Sequence, residues 1–110
     1  MAREIETKCI HLEEAEGALN HFGAMAYPIY QSATYAHPGV GQSTGYDYSR
    51  LQNPTREHLE KTVASLENGI DALAFSSGMA AITLMMELFK PGDHLIVDAD
   101  LYGGSIRLFN

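Results

Sequence analysis

Residues Met79 to Phe89 (MAAITLMMELF) are apolar on almost every side of a helix, and only Thr83 and Glu87, four apart, offer a polar edge. A helix without a polar face has to be covered on several sides. Short continuous apolar runs flank it, Ala72-Leu73-Ala74-Phe75 before and Leu95-Ile96-Val97 after. Runs of this length without alternation read as buried strands of a parallel sheet. Ser76-Ser77-Gly78 opens the helix, Pro91-Gly92 halts it, and Tyr102-Gly103-Gly104-Ser105 opens another that runs toward Asn110. The order strand, helix, strand predicts a right-handed, parallel βαβ unit and hence an α/β fold class. Two parallel strands are too little sheet to be stable alone. The chain is therefore expected to be part of a larger α/β domain.

Upstream of this unit, Asn53 is a good N-cap and Pro54 suits the first helical turn, where a missing N–H costs nothing. Leu59, Val63 and Leu66 then form one apolar face, with Glu57, Glu60, Lys61 and Glu67 outside, and Asn68-Gly69 is a plausible stop. Before Asn53 there is little periodicity. Glu13, Glu14 and Glu16 with Ala18 and Leu19 suggest a short helix. From Tyr27 to Tyr48 the chain is rich in Tyr, Gly, Ser and Pro and has neither repeat, which predicts an extended arm or loop. Five of the six tyrosines fall there (27, 30, 35, 46 and 48), too many aromatics for a disordered linker, so the arm should lie on something. The organisation expected is an arm over 1–53 and the start of an α/β domain over 54–110.

Composition narrows the partners. Seven basic residues against fourteen acidic give a formal charge of −7 over 110 residues. Such acidity disfavours non-specific contact with nucleic acid or an anionic membrane, and the cations are scattered singly. No apolar stretch is long enough to span a bilayer, and the first ten residues, with mixed charge, do not read as a secretory signal. A single cysteine, Cys9, makes no internal disulfide, which points to a reduced, cytoplasmic compartment. The five histidines lack metal-ligand spacing, so no metal is expected.

Three segments could carry chemistry. At Ser76-Ser77-Gly78-Met79 the first N–H groups of a helix have no internal partner and attract anions; an ordinary Ser-capped helix starts in the same way. Tyr48 and Arg50, two apart in an extended segment, would point to the same side. They would join a phenol donor to a guanidinium fork, a good grip on phosphate or carboxylate. A solvated arginine beside a packed tyrosine would look no different. Tyr102, beyond the second strand, would sit at the carboxyl edge of a parallel sheet, where ligands bind, and could stack on a flat cofactor or simply cover the strand end.

Together these segments say more. Tyr48-Ser49-Arg50-Leu51-Gln52-Asn53-Pro54-Thr55, Ser76-Ser77-Gly78-Met79-Ala80-Ala81 and Asp100-Leu101-Tyr102-Gly103-Gly104-Ser105, in that order and spacing, resemble the Cys/Met-metabolism family of pyridoxal-phosphate (PLP) enzymes. That family includes cystathionine γ-synthase, the cystathionine γ- and β-lyases, methionine γ-lyase and O-acetylhomoserine sulfhydrylase. Pro28 to Tyr35 resembles its N-terminal arm. The resemblance implies the N-terminal part of an aspartate aminotransferase-like large domain and pyridoxal 5'-phosphate as cofactor. By it, Ser77 and the N–H groups of Gly78 and Met79 hold the cofactor phosphate. Tyr102 stacks on the pyridine ring and acts in catalysis by helping proton transfer. Tyr48 and Arg50 reach across a dimer interface to the neighbouring subunit's cofactor phosphate. Members are homotetramers of catalytic dimers that make or break C–S bonds of small amino-acid substrates in transsulfuration. Gly104 looks like the Tyr-Gly-Gly pattern of the γ-synthases, γ-lyases and sulfhydrylases, not the cysteine usual in methionine γ-lyases.

Family members are several times longer. Their Schiff-base lysine lies beyond the matched region, and Lys8, Lys61 and Lys90 match no such position, so the 110-residue chain alone is expected to be inactive. A different class of function is a catalytically dead truncated chain that docks on a full-length homologue as an interaction or anion-binding module.

Overall fold

The computed structural model describes residues 4–11, 22, 24 and 26–110. Four helices are formed: α1 (Ile5–Ile10), α2 (Pro54–Leu66), α3 (Gly78–Met86) and α4 (Gly103–Phe109). The chain divides into two compact units, Met1–Leu73 and Ala74–Asn110. The short helix expected around Glu13 to Leu19 lies outside the described residues.

In the first unit, α2 begins and ends as its sequence dictates. The Asn53 side chain accepts from the Thr55 N–H at 2.9 Å, and Pro54 takes the first turn. At the far end Gly69 N–H reaches back to Ala64 C=O at 2.8 Å across Asn68, which holds the left-handed conformation (φ 53°). That is the helix-stop geometry in which Asn substitutes for the usual glycine. Helix α1 packs against α2, and Lys8 Nζ donates to Ser65 C=O at 3.5 Å.

The arm does lie on something: it lies on α2. Tyr27 stacks on His58 with ring centroids 3.9 Å apart and planes 10° from parallel. The stretch between Thr34 and Tyr48 doubles back and is closed by one antiparallel bridge between these two residues. Tyr35 N–H to Asp47 C=O (3.3 Å) and Ser49 N–H to Ala33 C=O (2.9 Å) complete it. Arm contacts therefore gather on the first turn of the helix, at Thr55, Arg56, Glu57 and His58. Of the expected apolar stripe, Leu59 (54%) and Val63 (42%) stay exposed, while Leu66 is half-buried.

From Ala72 onward the chain departs further from expectation. The runs Ala72–Phe75 and Leu95–Val97 form no ladder, and no strand occurs among the described residues. Leu73 is 64% and Ile96 88% exposed, where buried strands were expected. The reason is physical: a strand is defined by its neighbour, and these two runs do not pair with each other. Helix α3 likewise has no buried residue, although its sequence calls for cover. Ser77 caps it, with Oγ accepting from Ala80 N–H at 3.2 Å. Tight bonds from Glu87, Leu88 and Phe89 N–H to Leu84, Met85 and Met86 C=O finish it. Gly92 (φ 103°) turns the chain after Pro91, as the Pro-Gly pair predicts.

Candidate functional site

The arm-side candidates sit on a tight turn. Leu51 and Gln52 N–H both return to Tyr48 C=O, at 2.9 and 3.0 Å. Tyr48 and Arg50 are thus not two apart in an extended segment, as expected, yet they still meet. Arg50 Nη2 donates to the Tyr48 hydroxyl at 3.0 Å, and the guanidinium carbon lies 5.1 Å from the centre of the Tyr48 ring. Both side chains are exposed, and among the described residues Arg50 has no carboxylate partner. A guanidinium held by a phenol and left without an acid is suited to an external anion.

The turn itself is built from below. Asn53 Nδ2 donates to Ser49 Oγ (2.9 Å), Tyr30 C=O (3.1 Å) and the Tyr35 hydroxyl (3.3 Å). Thr55 Oγ1 accepts from Tyr30 N–H at 2.8 Å. The Tyr46 hydroxyl donates to Glu57 Oε2, and Glu57 also pairs with Lys61 one turn on. Burial first, then the hydrogen bond to Glu57 and that residue's charge, push the Tyr46 phenol above its ordinary 10.0. The bond from Lys61, seconded by Tyr46, holds Glu57 below its ordinary 4.5 against the opposing effect of burial. Tyr46 is therefore a fixed donor at neutral pH, not a base.

The remaining candidates lie in the second unit, at the start of α3. Its first internal bond runs from Ala81 N–H to Ser77 C=O at 3.2 Å. The N–H groups of Gly78 and Met79 precede it and stay available, at the positive end of the helix. A Cβ at Gly78 would meet nothing within 4 Å, so the approach to these N–H groups is open. Ser77 Oγ accepts from the helix and keeps its own proton to donate.

Tyr102 comes to the same end of α3. It is the N-cap residue of α4 and 73% exposed. A Cβ on Gly104 would fall 2.6 Å from Tyr102 Cε1 and 3.0 Å from Met79 Sδ, so ring and sulfur would have to shift to admit one. Buried Ser105 lies beneath, its Oγ 4.0 Å from Met79 Sδ. Ser77, Gly78, Met79 and Tyr102 are thus gathered in one unit, and Tyr48 with Arg50 in the other.

Comparison with known proteins gives the family. Residues 6–110 match the family described as Cys/Met metabolism PLP-dependent enzyme. The chain belongs to that family. It is 51% identical, over 99% of its length, to cystathionine gamma-synthase/O-acetylhomoserine (thiol)-lyase of Bacillus subtilis (strain 168), covering 29% of that protein. It is 50% identical to cystathionine beta-lyase of Coxiella burnetii (strain RSA 493 / Nine Mile phase I), over 96% of the chain and 27% of the relative. Among solved structures it resembles cystathionine gamma-lyase from Lactobacillus plantarum, complexed with L-serine, with a TM-score of 0.82 and 44% identity. That match covers 98% of this chain and 28% of the other. The chain thus spans less than a third of the length of these relatives. Its fold is the N-terminal part of the aspartate aminotransferase-like large domain of these Cys/Met-metabolism enzymes.

Two residues of this family member escaped sequence reasoning. Asn53 was legible as a cap, but a cap uses only the side-chain oxygen, and counting the two amide donors left over would have exposed its hold on the arm. Arg56 donates to Ser49 C=O and Leu51 C=O, and nothing in the pattern of the helix announces it. No helix is long and apolar enough to cross a membrane, and no group of three or more His, Cys, Asp or Glu side chains could hold a metal, among the described residues.

Proposed function

We propose that this chain supplies the phosphate-holding part of a PLP-dependent enzyme of sulfur amino-acid metabolism, one that makes or breaks C–S bonds in transsulfuration. The observation that carries the reading is Arg50, held against Tyr48 with its fork unpaired by any acid among the described residues. The start of α3 supports it. Two available N–H groups, a donating Ser77 hydroxyl and the open face of Gly78 fit a phosphate, and the exposed ring of Tyr102 fits a flat aromatic partner. When bound, PLP supplies an electron sink for chemistry at the substrate's α-carbon.

In this reading Ser77, Gly78 and Met79 bind the phosphate of the chain's own cofactor. Tyr102 stacks on the ring and holds a proton at its hydroxyl near the reacting atoms. Tyr48 and Arg50 bind the cofactor phosphate of a second copy in a homo-oligomer, a tetramer of catalytic dimers. Lys8, Lys61 and Lys90 match no Schiff-base position of the family, so in this reading that lysine comes from outside these 110 residues. The substrate is a small amino acid, and the exposed, unpaired thiol of Cys9 suits the reducing cytoplasm.

Arg50→Ala tests the reading. In the full-length protein it should weaken PLP retention by about tenfold or more, the loss of a charge-assisted contact. The thermal midpoint should barely move, since the side chain is exposed. Unchanged cofactor affinity would sink the phosphate role.

A further inference from the structure

We propose that Arg56 is a positioning residue for the anion grip, acting by clamping the turn from which Arg50 projects. Its guanidinium donates through Nη1 to Ser49 C=O at 3.1 Å and through Nη2 to Leu51 C=O at 2.5 Å. Those carbonyls belong to the residues immediately before and after Arg50. The remaining nitrogen, Nε, lies 3.7 Å from Glu60 Oε1, one turn further along α2, so the fork is held from behind. The side chain is 33% exposed, which leaves most of it packed between helix and turn.

This geometry gives the two neighbouring arginines different work. Both Arg56 Nη groups are engaged by backbone carbonyls, and its charge serves to fix a peptide. Arg50 has no such engagement and is free to meet an anion. The Thr34–Tyr48 bridge holds the turn at its start, and Asn53 reaches the Ser49 hydroxyl. Arg56 is what also grips the far side, at Leu51. A planar fork can span two acceptors at once, which a lysine ammonium at the same place does far less well. Grip residues carried on a loosely supported turn lose affinity even with all their atoms present.

The inference rests on the phosphate reading above, and its test separates the two. The measurement is equilibrium binding of PLP and of pyridoxal, which lacks the phosphate, to the full-length protein; the ratio of affinities isolates the phosphate contact. Arg50→Ala should lower that ratio about tenfold or more. Arg56→Gln should lower it about five- to tenfold, the net worth of about one hydrogen bond, with pyridoxal affinity nearly unchanged. In the Arg50→Ala background, Arg56→Gln should lower the ratio no further. Equal loss of both ligands in Arg56→Gln would reduce Arg56 to general support of the fold and overturn the proposal, as would an unchanged ratio. Arg56→Lys keeps the charge and guards against a folding failure of the glutamine variant. A lowered ratio there supports the two-carbonyl clamp, and a wild-type ratio overturns it. No effect of Arg50→Ala itself would defeat the phosphate reading, and this inference with it.

Discussion

The two units are held together by opposite means. Residues up to Leu73 are cross-linked by side chains that bond to distant backbone and to one another: Asn53 to Tyr30, Tyr35 and Ser49, Thr55 to Tyr30, Arg56 to the turn, Tyr46 to Glu57. From Ala74 onward the side-chain hydrogen bonds run mostly between near neighbours, and the apolar surface of α3 and its flanking runs is largely open. Directional bonds complete themselves within the chain. Apolar faces do not; they gain only when something covers them. The first unit is therefore tied by long-range polar bonds, while the second relies on cover for its apolar faces.

That contrast can be tested from each side. Asn53→Ala should have the largest effect, costing about 2 kcal/mol, because it removes a helix cap together with amide bonds to the arm. Hydrogen exchange should quicken across residues 26–50 and at the start of α2, with α3 amides unchanged; matching acceleration in α3 would mean that the units are not independent in stability. Ser77→Ala is the mirror experiment. Loss of its cap should cost about 1 kcal/mol and appear in α3 amides, while the arm stays protected.

The smallest effect concerns pH. Glu57 has its folded pKa lowered, so its contribution is present above the ordinary 4.5 and is lost as pH falls through the lowered value. Tyr46 has its folded pKa raised, so the contribution of its neutral phenol persists below 10.0 and is lost only as pH rises through the raised value. Acid should therefore loosen the arm before mild alkali does. The change amounts to less than about 1 kcal/mol for a partly exposed pair. A tyrosine near-ultraviolet titration should show the acid transition, and Glu57→Gln should abolish it. An acid transition that survives that substitution would assign the arm's hold to other groups.

Legibility in the sequence followed the same divide, though not in the obvious direction. Local chemistry was readable from Asn53 onward: Asn53-Pro54 starts α2, Asn68-Gly69 stops it, Ser77 caps α3 and Gly103 begins α4. What could not be read was whatever depends on a partner. Leu95-Ile96-Val97 has the composition of a buried strand, but composition does not say which strand lies beside it. Helix α1 went unrecognised because six residues of mixed charge carry too little periodicity, and such a short helix needs the packing of α2 to persist. Tyr48 and Arg50 were legible as a pair for an incomplete reason, since a turn and not an extended strand brings them to one side. The ties beneath them were invisible because a side chain reaching a backbone carbonyl leaves no pattern in the residues it reaches.

Arg50 leans on the Tyr48 hydroxyl and ring. A long, many-rotamer side chain normally loses about 0.5–1.5 kcal/mol of conformational freedom when a ligand immobilises it. Here part of that loss occurs during folding, so under the proposed phosphate role an anion would meet a fork already held. Replacing the tyrosine should consequently cost affinity twice, through the lost phenol contact and through the freedom returned to the Arg50 side chain.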